Sequence, residues 1–272
     1  MRIIVHISDL HFGRVDYSTL TPVIAAVRDL RPDLVAVSGD LTQRARRQEF
    51  LEAGHFLNAL PEPRIVVPGN HDIPLENAFS RFVRPLARYC RYITDDLEPF
   101  YKDEEIMVAG VNTARSLTIK GGRLNERQVE RIAGRFGARL HGRVKIVVTH
   151  HPIDLPESLG NEVIGRATMA VERLAQAGAD LFLAGHMHVS YAGHAAARYR
   201  IEGYSALVVQ AGTATSTRGR GELNSFNVLR IHRPSITVER FEWRQQKHAF
   251  TLAAKECFRH GPKGWKKEPF TA

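Results

Sequence analysis

Aspartate, asparagine and histidine side chains gather at five places in the sequence, each directly after a short apolar segment. They are Asp9, His11, Asp40, Asn70, His71, His150, His151, His186 and His188. Carboxylate, amide and imidazole ligands without a thiolate suit Mn, Fe, Zn, Co or Ni rather than a soft-metal centre. Without an ion to bind, such groups buried at strand ends would stay unsatisfied, at a cost of roughly 1–3 kcal/mol each. The residue types therefore predict a metal site.

The spacing within two of these groups has a simple structural interpretation. Alternate residues of an extended segment project from the same side, so Asp9 and His11 are expected to meet one ion. The same spacing separates His186 from His188, although two ions can share that pair. Three groups follow directly after a glycine: Gly39, Gly69 and Gly185. Glycine lets the chain turn sharply off a strand and lets a ligand approach closely.

Five apolar segments bounded by glycine or proline predict the buried strands that carry these polar groups. The segments are residues 2–7, 34–37, 64–67, 145–148 and 180–183. Helical patterns occur at residues 22–30, 45–60, 125–136 and 169–177, the third with Asn125 as its N-cap. Open α/β sheets bind ligands at the carboxyl ends of their strands, which is where the polar groups stand.

Strands without intervening helices are predicted after residue 191. They are residues 206–210, 225–231 and 235–241, with Arg233 and Pro234 in a tight turn. We therefore predict an α/β fold, a four-layer αββα sandwich of two mixed sheets flanked by helices. The domain is expected to occupy residues 1–250. A basic C-terminal tail with little packing is expected at residues 251–272.

Composition excludes several classes of protein. A chain of 272 residues with 43% hydrophobic content can bury a sizeable core. Two cysteines, Cys90 and Cys257, are too few for a disulfide framework or a zinc–cysteine cluster. No segment approaches the roughly 20 apolar residues of a membrane helix, and the first apolar segment is too short for a signal peptide. We therefore expect a cytoplasmic protein without a membrane partner.

The positive charge of the chain is concentrated in its last third. The net charge is +9, and residues 181–272 contain 14 Lys and Arg, six Glu and no Asp. This excess suits nucleic acid, an anionic small substrate or a solvated basic surface. Because the sequence contains no nucleic-acid-binding motif, nucleic acid is not the favoured partner. A homo-oligomer is left open.

Five blocks, in order, resemble those of the calcineurin-like metallophosphoesterase family. The blocks are Asp-Leu-His at 9–11, Gly-Asp at 39–40, Gly-Asn-His-Asp at 69–72, His-His-Pro at 150–152 and Gly-His-Met-His at 185–188. The resemblance implies two divalent or mixed-valence ions of Mn, Fe, Zn or Co. It implies these ligands: Asp9, His11 and His188 for one ion, Asn70, His150 and His186 for the other, and Asp40 for both. His150 is preferred to His151 because family members tend to carry the ligand two residues before the proline.

The resemblance also implies a mechanism. A hydroxide that bridges the two ions attacks phosphorus in line, while Asn70 offsets charge on the phosphoryl oxygens. His71 is implied to be catalytic, as a proton donor or a transition-state contact. One departure concerns Gln43, because some relatives carry there an acidic residue that pairs with the catalytic histidine.

The overall pattern is most similar to the bacterial cyclic-nucleotide (class III) phosphodiesterase branch, which implies a small phosphodiester substrate. The segment 213–221 could bring Arg218 or Arg220 to a phosphate, and a plain surface loop is the other interpretation of it. A DNA- or RNA-directed nuclease or repair exonuclease of the same superfamily is the alternative. A lipid-precursor hydrolase, with residues 74–101 as a lid, and a metal-free scaffold such as the retromer subunit of this fold are further interpretations. The scaffold conflicts with the retention of all seven ligands.

Overall fold

The computed structural model describes residues 1–75, 78–118, 120–137, 142–156, 162–194, 199, 201–219 and 221–269. Two mixed β-sheets pack face to face, and helices cover their outer faces. The predicted four-layer αββα sandwich is therefore confirmed. Within the described residues, none of the helices has the length and hydropathy that crossing a membrane requires.

The first sheet has seven strands. They are β1 (Arg2–Ile7), β2 (Leu34–Ser38), β3 (Arg64–Val67), β10 (Ser225–His232), β11 (Ser235–Arg244), β12 (Ala249–Gly261) and β13 (Gly264–Glu268). Their order is β13-β12-β11-β10-β1-β2-β3, in which β1, β2 and β3 are parallel and the other pairs are antiparallel. Strand β2 is fully buried and β1 is buried from Ile4 onward, whereas most residues of β12 are half-buried or exposed and only Phe250 and Phe258 are buried.

The second sheet has six strands. They are β4 (Phe100–Lys102), β5 (Ile106–Gly110), β6 (Val144–Val148), β7 (Leu181–Ala184), β8 (Tyr191–His194) and β9 (Leu207–Gln210). Their order is β4-β5-β6-β7-β9-β8, with a parallel centre and an antiparallel strand at each edge. The facing sides of the two sheets share one apolar layer that includes Ile4, Leu34, Ile146 and Leu183.

The described helices are α1 (Tyr17–Asp29), α2 (Arg47–Ala59), α3 (Ala78–Val83), α4 (Ala87–Tyr92), α5 (Glu126–Phe136) and α6 (Ala167–Gln176). Helices α1 and α2 cover the first sheet, and α5 and α6 cover the second. Asn125 caps α5 as predicted, because its side chain accepts a hydrogen bond from the amide of Gln128. Helix α1 starts five residues earlier than predicted because Asp16 caps it through the amide of Ser18.

The expected basic C-terminal tail with little packing is wrong for the described residues up to 269. Strands β12 and β13 extend the first sheet, so the predicted boundary at residue 250 falls inside β12. Phe258 and Trp265 are buried between the sheets, and the Trp265 indole donates a hydrogen bond to Asp180 at 3.0 Å. These two apolar side chains anchor the β12–β13 hairpin, while its basic residues face outward. A count of charges in the sequence does not reveal this packing.

Candidate metal centre

Five loops at the carboxyl ends of parallel strands bring the predicted ligands together. Strands β1, β2 and β3 of the first sheet lead into the loops with Asp9 and His11, Asp40, and Asn70, respectively. Strands β6 and β7 of the second sheet lead into the loops with His150 and with His186 and His188. The site therefore lies where corresponding edges of the two sheets meet, as expected for ligand sites in open α/β sheets.

Five of these residues adopt the left-handed backbone conformation. Their φ angles are 54° for Asp9, 48° for His11, 51° for Asp40, 73° for His186 and 58° for His188. The expectation that an extended segment directs Asp9 and His11 to one side is therefore wrong, although the two side chains do meet. Left-handed conformations at non-glycine residues cost on the order of 1–3 kcal/mol each and cluster at functional sites. Tight turns, rather than extended strands, therefore direct these side chains towards one another.

The first ligand cluster contains Asp9, His11, Asp40 and His188, whose nearest ligand atoms all lie within 4.8 Å of one another. Nε2 of His11 lies 3.0 Å from Nε2 of His188 and 3.6 Å from Oδ1 of Asp9. It also lies 3.7 Å from Oδ2 of Asp40. Nδ1 of His188 donates to the carbonyl of Arg218 at 3.1 Å, so its Nε2 presents a lone pair to the cluster.

The second cluster contains Asn70, His150 and His186 together with the other oxygen of Asp40. Nε2 of His150 lies 3.1 Å from Oδ1 of Asn70 and 3.3 Å from Oδ1 of Asp40. Nδ1 of His186 lies 3.1 Å from Oδ1 of Asn70 and 3.3 Å from Nε2 of His150. Asp40 therefore presents one carboxylate oxygen to each cluster.

Hydrogen bonds distinguish His150 from its neighbour His151. Nδ1 of His150 donates to the carbonyl of Ser38 at 2.8 Å, which leaves Nε2 to face the second cluster. Both ring nitrogens of His151 have other partners, the hydroxyl of Thr113 and the carbonyl of Lys120, each at 2.8 Å. Although His151 is near His186, its nitrogens are already occupied, so the geometry favours His150 as the ligand.

Two glycines permit the close approach of the loops. A Cβ atom at Gly69 would lie 2.1 Å from Oδ1 of Asp40, and one at Gly185 would lie 2.4 Å from Oδ2 of Asp9. Either contact would displace a carboxylate that belongs to a cluster. The interpretation of these glycines as points of close approach therefore agrees with the packing around them.

The buried charges leave Asp40 and His186 in the protonation states of metal ligands, whereas His150 holds a proton where a cation would bind. Burial opposes the charge of Asp40, but His150 beside it holds the pKa of that carboxyl well below its usual range. Burial alone would lower the pKa of His150, whereas the Asp40 carboxylate raises it to about 9. Burial and the charge of His150 lower the pKa of His186 to about 4. At neutral pH the carboxylate is therefore charged, and a metal would displace a proton from His150.

Asp72 joins two of the ligand loops, a role that the sequence pattern did not predict. Its Oδ1 accepts from the amide and the hydroxyl of Thr42, both at 2.9 Å. Its Oδ2 accepts from the amides of Gly69 at 2.9 Å and Leu41 at 3.2 Å. Burial and the charge of Asp40 raise the pKa of Asp72 to about 7. Its place in the Gly-Asn-His-Asp block was the available signal, but that block does not show which loop Asp72 binds.

The segment from Thr213 to Arg218 supports the first ligand loop. The hydroxyls of Thr213 and Thr215, both buried, donate to the carbonyls of Asp9 and Leu10 at 2.7 and 2.9 Å. The sequence pattern of this segment indicated a role only for its arginines. The structure shows that its threonines hold the turn that carries the first two ligands.

His71 and Arg218 lie next to the first cluster and contact each other. The His71 and His11 rings have centroids 4.9 Å apart. Nη1 of Arg218 lies 3.1 Å from Nε2 of His71 and 3.3 Å from Oε1 of Gln43. Arg218 is therefore brought to the site, whereas Arg220 lies outside the described residues.

Three observations show that the residues of the two clusters fit metal ions. Oδ1 of Asp9 is buried and has no hydrogen-bond partner among the residues that the structure describes. Nε2 atoms of His11 and His188 face each other at 3.0 Å, an arrangement that a shared cation relieves. The donors are carboxylate and amide oxygens and imidazole nitrogens, which suit first-row transition metals.

Two packed sheets with adjoining clusters of oxygen and nitrogen ligands at their strand ends define a metal-binding αββα sandwich. More particularly, the chain belongs to the calcineurin-like phosphoesterase family, whose model matches residues 3–190. That range includes all five ligand loops, so the family resemblance drawn from the sequence blocks is confirmed.

The chain is also similar to a curated protein, the glycerophosphodiester phosphodiesterase GpdQ of Enterobacter lignolyticus (strain SCF1). The two are 34% identical over 112 residues, which cover 35% of this chain and 40% of that protein. The match therefore spans less than half of the relative.

Solved structures show the same fold. Purple acid phosphatase PPD1 from yellow lupin (Lupinus luteus) seeds superposes with a TM-score of 0.71 at 11% identity, covering 94% of this chain and 53% of that chain. GAP50, described as the anchor in the inner membrane complex of Plasmodium, gives a TM-score of 0.57 at 14% identity. It covers 90% of this chain and 85% of GAP50. This chain thus spans about half of the plant phosphatase.

Proposed function

We propose that this protein is a binuclear metal-dependent phosphodiesterase that hydrolyses small diesters, including those of the cyclic-nucleotide type. The observation that carries the proposal is the pair of ligand clusters that share the carboxylate of Asp40. Family membership supports phosphoester chemistry, and the similarity to a glycerophosphodiester phosphodiesterase supports a diester substrate.

The two clusters would hold two divalent or mixed-valence ions of Mn, Fe, Zn or Co. When bound, a pair of such ions supplies Lewis-acid charge and a hydroxide nucleophile. The chain's own residues orient the ligands: Ser38 fixes His150, and the carbonyl of Arg218 fixes His188. Asn70 contributes an amide oxygen to the second cluster, while His71 lies next to the first.

The small-diester proposal is favoured over a nuclease because the basic residues of strands β12 and β13 lie away from the ligand loops. Strands β12 and β13 form the edge of the first sheet opposite to β1, β2 and β3. Lys255 lies 3.4 Å from Glu239, and Lys267 pairs with Glu256. These basic residues are therefore partly neutralised and do not line the clusters.

A substrate panel tests the proposed function. Protein reconstituted with Mn²⁺ or Fe and Mn²⁺ is assayed against a cyclic nucleotide, a glycerophosphodiester, an aryl phosphodiester and single-stranded DNA. Hydrolysis of the three small diesters, with little dependence on salt, is the expected result. Failure to cleave any phosphoester after reconstitution with Mn, Fe, Zn or Co would refute the proposal.

Salt separates the small-diester hydrolase from the nuclease alternative. An enzyme that relies on neutralising phosphates loses affinity for single-stranded DNA as salt rises. A log–log plot of that affinity against salt concentration has a slope of about −0.7 per phosphate contact. Cleavage confined to DNA, with such a slope, would instead support the nuclease.

A further inference from the structure

We propose that Arg218 is the cation that binds the phosphoryl group of the substrate, and that His71 and Gln43 are positioning residues for its guanidinium. The proposal rests on the proposed phosphoesterase function. It assigns to His71 a different task from the proton donation that the family resemblance implies.

Gln43 contacts both His71 and Arg218. Its backbone carbonyl accepts from Nδ1 of His71 at 2.8 Å, and its side-chain Oε1 accepts from Nη1 of Arg218 at 3.3 Å. The same Nη1 contacts Nε2 of His71 at 3.1 Å. All three side chains are half-buried. The contacts therefore form a closed triangle next to the first metal-ligand cluster.

The partners assign the roles of the two His71 nitrogens. A carbonyl oxygen only accepts, so Nδ1 of His71 carries the proton that it shares with Gln43. A guanidinium only donates, so Nε2 of His71 accepts from Arg218. His71 therefore presents a lone pair that orients the guanidinium.

Arg218 brings a positive charge that protein carboxylates leave unneutralised. Among the described residues, no Asp or Glu lies within 4.0 Å of its guanidinium, and its side-chain hydrogen bonds to them use Nη1 alone. Its carbonyl, in contrast, holds the ring of the cluster residue His188 at 3.1 Å. Arg218 therefore supports a ligand through its carbonyl and places a cation on His71, next to the first cluster. A planar guanidinium there matches phosphoryl oxygens.

The neutral side chain at Gln43 is a requirement of this arrangement. A carboxylate at that position would form an ion pair with Arg218 and reduce its charge toward a substrate. This gives a physical reason for the departure from relatives that carry an acidic residue at this position. An acidic side chain suits a histidine that donates a proton. A neutral amide suits an arginine that must bind an anion.

The first experiment measures binding of inorganic phosphate to the Mn-loaded protein by calorimetry. Arg218→Gln is expected to weaken binding about 10- to 100-fold, as for a lost hydrogen bond to a charged group. Metal content should not change, because the Arg218 carbonyl that holds His188 is retained. Arg28→Gln, which removes an exposed arginine of helix α1, is the charge-matched control and should bind as the wild type does. A phosphate Kd within twofold of wild type for Arg218→Gln, or no phosphate binding by the wild type, overturns the proposal.

The second experiment gives opposite results for the two roles of His71. Gln43→Glu is expected to weaken phosphate binding and to raise KM for an aryl phosphodiester about fivefold or more, since the new carboxylate pairs with Arg218. If His71 were a proton donor that lacks its acidic partner, the same substitution would raise kcat instead. An increase in kcat with unchanged phosphate affinity therefore contradicts the inference.

A double-mutant cycle tests whether His71 acts through Arg218. His71→Ala should weaken phosphate binding in the wild-type background and have little further effect in the Arg218→Gln background. Additive losses would show that His71 does not position Arg218.

The binding assay also separates this inference from the proposed function. A wild-type protein that hydrolyses no ester but binds phosphate through Arg218 refutes the function and retains the inference. An active enzyme whose phosphate affinity and KM do not depend on Arg218 retains the proposed function and refutes the inference.

Discussion

The carboxylate of Asp40 and the imidazole of His150 form a buried contact, with Oδ1 of Asp40 3.3 Å from Nε2 of His150. The carboxylate raises the pKa of His150 to about 9 against the effect of burial, which lowers it. In the metal-free protein the pair is thus held by a proton at the place where a cation would bind. Exchange of that proton for a metal makes metal affinity depend on pH.

Metal affinity is expected to rise with pH. The unperturbed pKa of histidine is about 6.5. Between about pH 6.5 and 9, the folded metal-free protein therefore retains a proton on His150 that binding must release. Apparent affinity for Mn²⁺ should increase up to about tenfold per pH unit across this window. Competition with a chelator at pH 6.5, 7.5 and 8.5 measures it, and a flat profile would contradict the prediction.

The same pair affects the stability of the metal-free protein in the opposite direction. Because the pKa of His150 is higher in the folded state than its unfolded value, the contact stabilises fully below about pH 6.5. That contribution should be lost as the pH rises through about 9. Urea unfolding of the metal-free protein at several pH values checks the sign, with His150→Gln as the variant that should lose this part of the pH dependence.

Asp40→Ala should remove both metal ions and the activity. One carboxylate oxygen faces each cluster, so the substitution takes a ligand from both. Elemental analysis of protein purified without chelator provides the measurement. Asp95→Ala, which removes an exposed carboxylate elsewhere, should retain wild-type metal content. Retention of two metals by Asp40→Ala would show that this residue does not bridge the clusters.

His150 and His151 should respond differently to substitution. His150→Ala is expected to lose one metal, since its Nε2 faces the second cluster. His151→Gln should keep both metals but lose stability by about 1–3 kcal/mol, because its buried ring bonds Thr113 and Lys120. Metal content and urea unfolding of the two variants separate these effects. Loss of metal from His151→Gln alone would reverse the assignment.

The C-terminal hairpin should be essential for stability. Trp265→Ala is expected to cost about 3–5 kcal/mol, because the indole is buried between the sheets and bonds Asp180. Lys266→Ala, an exposed neighbour on β13, should change stability by no more than about 0.5 kcal/mol. Deletion from Lys255 onward, which removes Phe258 as well, should prevent folding. A truncated protein that unfolds at the wild-type urea midpoint would contradict this account.

Much of the architecture follows from local patterns in the sequence. Continuous apolar segments can be buried on both faces, which identifies the parallel strands β1, β2, β6 and β7 and the place where each ends. Polar residues directly after those ends are then expected to share one edge of the fold. The donor types were sufficient to predict transition-metal ligands, because ligand preference depends on the element and not on the chain's path.

The tertiary structure decided what depends on contacts between distant residues. The left-handed turns at Asp9 and His11, the choice of His150 over His151, and the bond between Arg218 and His71 each require a partner from another loop. The same applies to the C-terminal hairpin, in which two aromatic side chains outweigh many exposed charges. Sequence spacing indicates which side chains can meet along one element, whereas hydrogen bonds and burial between elements determine which of them do.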